Sequence, residues 1–218
     1  MHKQATRHAI DVPFYDNTHG DGNQCYQLAM RSAIKHFLGK DVAIDELDRI
    51  TGRGPDKWTW TSQLVPPLYD MGLKVKFYTK VDVTQLLGGE RFIREHYGKD
   101  AEVMLQHTNM DVMINSVSVL MKYAIFERRA LSEKEIETHI REGHLPLILL
   151  DWTKIKGVDA PFMGHMGVLT GFDDANFYFH HSGPGSPQPN MPILRKRLMA
   201  AWNAPGTDND IVIVYGKR

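Results

Sequence analysis

The chain has 218 residues, 42% of them hydrophobic and 24% charged, with 26 basic side chains balanced by 26 acidic ones, 11 His and one Cys. That length accommodates one substantial domain that buries about 70% of its unfolded surface, and one cysteine excludes an internal disulfide, so the thiol is either packing or a reactive group. A formal charge of zero argues against non-specific nucleic-acid or anionic-membrane binding, and only Arg195-Lys196-Arg197 is locally basic.

In chain order, Met1 to His8 lacks the apolar core of a signal peptide, which gives the expectation of a cytoplasmic protein. Ile10 to Tyr15 reads as extended and leads into the turn-rich Asp16 to Asn23. From Gln24 to Leu38 there is neither Gly nor Pro. Cys25, Leu28, Ala29, Ala33 and Ile34 recur there at helical spacing, with Gly39 as the stop and Asp21 or Asn23 as the cap. Cys25 therefore falls in the first turn of a buried helix. Asp45 to Thr51 and Thr61 to Met71 read as further helices, the latter kinked at Pro66-Pro67, and Trp58 and Trp60 lie in the loop between them. Leu73 to Tyr78 alternates as a half-buried strand. Val83 to Tyr97 and Ala101 to Phe126 read as helical, and Met104, Met110, Met113 and Met121 are assigned to the core.

Ser132 caps a helix ending at Gly143. Strands follow at Pro146 to Trp152, His165 to Phe172, Phe177 to His181 and Ile211 to Tyr215, and the apolar run Leu145 to Leu150 is too short to span a bilayer. Asp173 to Asn176 joins the second and third of these as a hairpin turn. Helices first and antiparallel strands later make an α+β fold, one domain over 1–218 with a possible helical insertion at 82–130.

A thiol in the first turn of a helix has its pKa lowered by the unpaired amides there. A cysteine nucleophile also needs an imidazole base held by a third group. The Gly164 to Gly171 segment starts an apolar strand with His165. A hairpin centred between Asp174 and Ala175 puts His165 opposite roughly position 184, beside His180-His181, and strand alternation lets only one of that pair reach the site. The eleven histidines predict a response to pH near 6.5.

Val12-Pro13-Phe14-Tyr15, a polar loop and Asn23-Gln24-Cys25-Tyr26-Gln27-Leu28-Ala29, together with Gly164-His165-Met166-Gly167 running to Asp173, resemble the nucleophile and His segments of papain-like cysteine peptidases of the C39-like group. The resemblance covers most of the chain outside about 82–130. It implies a papain-like fold with the nucleophile helix packed on a C-terminal antiparallel sheet. It also implies attack by Cys25, proton transfer by His165, and His181 in the orienting position where the family usually has Asp. Asn17 stands in for the usual Gln oxyanion donor, with Asn23 and Gln24 as rivals. Tyr26 replaces a usual Gly and, with Trp58 and Trp60, is assigned to substrate binding.

The implied function is hydrolysis of a peptide or other amide bond through a Cys-His-His triad, with a peptide or protein as substrate and no cofactor. The same groups serve acyl transfer and deamidation. A domain that binds peptides after losing catalysis is the alternative, carried by the missing Asp and Gln. A zinc site from Cys25, His165 and His181 or His19 is a third reading, unsupported by ligand spacing, so no metal is expected.

Overall fold

The computed structural model describes residues 7–18 and 20–218; His19, a candidate ligand, lies outside them. In chain order the elements are β1 (His8–Ala9), α1 (Cys25–Leu38), α2 (Ile44–Thr51), α3 (Thr61–Asp70), β2 (Leu73–Thr79), α4 (Glu90–Tyr97), α5 (Ala101–His107), α6 (Met110–Tyr123) and β3 (Phe126–Arg128). There follow α7 (Glu133–Arg141), β4 (Leu145–Asp151), α8 (Trp152–Lys156), β5 (Gly164–Phe172), β6 (Asn176–His181), β7 (Gln188–Leu194), α9 (Arg195–Trp202) and β8 (Ile211–Lys217). No helix among the described residues is long and apolar enough to cross a membrane.

The strands form one sheet in the order β3-β2-β8-β4-β5-β6-β7, with β1 added against β5. Neighbours are antiparallel except β2 and β3. The α+β reading and the packing of α1 on the sheet hold, and helices cover both faces. β4 shows why: all seven of its residues are buried. Leu145, Leu147 and Leu149 join Met30, Ile34, Leu64 and Met113 in one core, whereas Ile148 and Leu150 join Ile136, Leu198 and Trp202 in the other. Each fully buried side chain of this size contributes about 1.5–3 kcal/mol.

Local signals set most boundaries. α1 ends where Gly39 takes a left-handed φ of 70° and donates its N–H to Lys35 O. Ser132 and Glu135 form a reciprocal capping box that opens α7. The stretch read as one helix from Ala101 to Phe126 divides at Thr108, where Asn109 caps α6. It ends at Ala124 with a left-handed φ of 53°, and Phe126 begins a strand. Segment 82–130 buries Ile93, Met113, Val117 and Leu120 in the core shared with α1 and adds β3 to the sheet. Met104 and Met110 pack against that core, but Met121 is 39% exposed, against the expectation for it. Arg195, the first cation of the basic run, is paired with Glu133 and Glu137 and donates to Asp173 O.

Candidate active site

The β5–β6 hairpin builds the first half of the site. Asp173 Oδ1 accepts the N–H groups of Ala175 and Asn176, closing the turn. Past a register shift between Leu169 and Gly171, Val168 pairs with His180. His181 therefore lies two residues along from His165 on the same face, and their rings share a hydrogen bond of 3.0 Å between His181 Nδ1 and His165 Nε2. His180 points to the other face, where it bonds Val12 O at 3.0 Å and receives the Asn190 N–H.

The imidazole pair is sealed on the side of the sheet that carries Leu150, the β4 partner of His165. Trp152, at the first turn of α8, stacks on His181 at 4.3 Å and contacts the His165 ring at 4.6 Å; the Phe179 ring lies 5.8 Å from that of His165. Gly167 makes room for this packing, since a Cβ there would stand 2.2 Å from the Phe179 ring. Burial, reinforced by the mutual repulsion of the two rings and by Lys156, pushes His165 down to about 3. Burial followed by Lys156 brings His181 to about 4. Both imidazoles are neutral at pH 7.

α1 supplies the second half. Gln24 occupies its N-cap without a side-chain cap bond, because its amide donates to Asp48 at 2.8 Å. Asp21 instead binds the Asn23 N–H and the Arg53 guanidinium, so neither it nor Asn23 caps the helix as expected. The first amides of α1 remain available. Cys25 Sγ lies against its own amide, that of Tyr26 and that of Met166, the residue after His165. These donors lower the thiol pKa, but burial outweighs them and raises it, which corrects the expectation from the helix terminus alone. Cys25 retains some exposure. Among the described residues no hydrogen bond joins Sγ to the His165 ring, and Cys25, His165 and His181 do not gather their donor atoms into a metal-ligand set.

Asn17 donates its backbone N–H to Ser182 O at 2.7 Å, which ties it to the residue after His181. Its side-chain amide is buried, and among the described residues neither Nδ2 nor Oδ1 has a partner. Leaving such a group unsatisfied costs about 1–3 kcal/mol. The residues assigned to substrate binding each have a partner within the fold. Tyr26 is buried and bonds Thr61 Oγ1, Trp58 stacks on His107, and Trp60 donates to Thr108 Oγ1.

Two groups escaped the sequence reading. Trp152 looked like the end of a strand. Asp210, just before β8, is raised to about 8 by burial and then by Asp208, against hydrogen bonds from Thr61 and Thr79. Asp208 is held by Tyr97 Oη at 2.6 Å and faces His96 Nε2 at 2.9 Å. No local pattern marks either carboxylate, because their partners come from distant elements.

The fold is that of a papain-like, C39-like peptidase: a C39-like peptidase from Bacillus anthracis matches over 99% of both chains, with 14% identity and a TM-score of 0.55. A double glycine motif protease from an AMS/PCAT transporter, solved in complex with the leader peptide, covers 99% of this chain and 100% of its own at 10% identity and a TM-score of 0.49. By sequence, residues 22–214 match the family described as guanylylate cyclase, and the chain belongs to that family. No functionally curated protein matches it in sequence.

Proposed function

We propose that the chain is a cysteine-nucleophile hydrolase acting on a peptide or other amide bond. The observation that carries this reading is the buried His165–His181 bond, placed on the strand residue immediately before the Met166 amide that faces Cys25 Sγ. In the catalytic tautomer His165 Nε2–H donates to His181 Nδ1, which leaves His165 Nδ1 as the base. Substrate carbonyl carbon forms a bond to Sγ as the thiol proton passes to Nδ1. The oxyanion is held by the Cys25 N–H and the buried Asn17 amide. The imidazolium then protonates the departing amine, and water, deprotonated by the same ring, cleaves the thioester.

The resting pair is a neutral thiol and a neutral imidazole, and proton transfer accompanies attack. A carboxylate in the orienting position would stabilise the imidazolium, and a neutral His181 does so less. Labelling with a peptidyl cysteine-reactive warhead, compared across Cys25→Ala, His165→Ala and His181→Ala, tests the assignment. Loss of labelling in all three supports it.

The raised thiol and the absence of a bond from Sγ to the His165 ring favour a second reading, a peptide-binding domain without turnover. Peptide binding that survives Cys25→Ala, with no covalent labelling of wild type, decides for it. The family description raises nucleotide cyclisation as well. That chemistry needs cationic groups on a triphosphate, and Arg53, the cation facing Cys25, is already paired with Asp21 and Asp48. Assaying guanosine triphosphate conversion on the same preparations separates it from amide hydrolysis.

A further inference from the structure

Three donors converge at the opposite end of β4 from Asp151, where α7 turns into the strand. His139 Nδ1 and His144 Nδ1 stand 3.1 Å apart, and Glu142 Oε2 is 3.3 Å from His144 Nδ1. All three ligand atoms lie within 4.8 Å of one another. Zinc bonds of about 2.0–2.1 Å to nitrogen and oxygen place neighbouring tetrahedral ligands about 3.3 Å apart. Two of the three edges already have that length, and the third closes by rotation of the exposed Glu142 side chain.

The backbone holds the two imidazoles in place, together with a hydrogen bond between their Nδ1 atoms that a bound ion would replace. Glu142 N–H bonds Thr138 O, Gly143 N–H bonds Ile140 O from a left-handed φ of 78°, and His144 N–H bonds His139 O at 2.9 Å. Tyr215 of β8 packs edge-on against both rings, at 5.5 and 4.8 Å, and its hydroxyl bonds Tyr78 at 2.9 Å. Two nitrogens and one carboxylate suit a borderline divalent transition metal better than magnesium or calcium, which take oxygen ligands.

We infer that His139, Glu142 and His144 form a zinc site that pins the α7–β4 turn. Three protein ligands leave a fourth position for water. β4 enters the sheet from this turn and carries Leu150 opposite His165, so the bound ion stabilises the strand that backs the imidazole pair. The site is separate from the proposed hydrolytic one and does not depend on it.

The test is calorimetric titration of tag-free, chelator-treated protein with zinc chloride, with thermal unfolding followed in parallel. One zinc per chain binds wild type with micromolar or tighter affinity and raises Tm. His139→Asn and His144→Asn each weaken binding by about 100-fold or more, a larger loss than removal of an outer partner brings, and Glu142→Gln by at least about tenfold. Cys25→Ser leaves binding unchanged. The metal-free Tm of each ligand variant stays near that of wild type, which separates loss of the site from loss of the fold. Cobalt gives visible d–d bands of a tetrahedral site in wild type and loses them in His144→Asn. Wild-type affinity weaker than about 100 μM, or a binding curve unchanged in both histidine variants, overturns the inference.

Discussion

The buried His165–His181 pair makes stability fall in acid, and the size of the effect follows from the structure. Both imidazoles titrate near 6.5 when unfolded but are held near 3 and 4 in the fold. Between those limits the unfolded chain binds the protons that the native state refuses, so stability falls as pH falls below 6.5. The unfolded imidazole is half protonated at pH 6.5 and the slope approaches about 1.4 kcal/mol per pH unit only below that, so each imidazole costs about 1.6 kcal/mol, and the pair about 3 kcal/mol, on going from pH 6.5 to 5. Asp210 acts with the opposite sign. Its folded pKa is raised, so the native state binds the extra proton between 3.8 and about 8, and acidification returns about 2 kcal/mol over the same interval.

The net loss expected for these three groups is therefore about 1 kcal/mol. His181→Gln removes one titrating imidazole, and its contribution over this interval drops to near zero. Asp210→Asn steepens the wild-type loss to about 3 kcal/mol and raises stability at pH 8. Urea unfolding at half-unit pH steps, analysed by midpoint at constant m-value, reads these slopes independently of any constant cost of mutation. Parallel pH profiles for wild type, His181→Gln and Asp210→Asn would refute the reasoning.

Other consequences are equally specific. Asn17→Ala removes a buried amide that has no partner among the described residues, so stability holds or rises while kcat falls about 10²–10³-fold, as for loss of an oxyanion donor; urea midpoints and steady-state kinetics check the two halves. Gly167→Ala drives a methyl group into Phe179 and to 2.7 Å from His180 O, costing about 1–3 kcal/mol by urea unfolding and lowering kcat through the displaced His181. Alkylation of Cys25 by iodoacetamide accelerates into the alkaline range, past the ordinary thiol near 8.5, with no plateau at pH 5–7 of the kind a preformed thiolate gives.

The hairpin that brings His165 beside the His180-His181 pair was legible in its short acidic turn, but the choice of His181 rested on the family resemblance, because counting from the turn sets His165 opposite position 184, on the face of His180. The register shift at Leu169 and Gly171 moves the position opposite His165 by one residue, which turn counting does not anticipate. β7 was hidden by Pro189 and Pro192, which argue against a strand but are tolerated at a sheet edge. The thiol's direction was misread because a helix terminus is visible in sequence and desolvation is not. Burial of Tyr26 against Thr61, and of Asp210 against Thr61 and Thr79, depends on which distant elements meet, and hydrophobic periodicity carries no information about that.

The central claim is that Cys25 is a nucleophile served by His165. Mass spectrometry of the intact protein after incubation with a peptidyl warhead, alongside a quenched-fluorescence peptide library, tests it most directly. One adduct per chain on Cys25, with turnover lost in Cys25→Ala and His165→Ala and sharply reduced in His181→Ala, is the predicted result. A folded wild-type protein that forms no adduct and cleaves no peptide, or turnover that persists in Cys25→Ala, would contradict it.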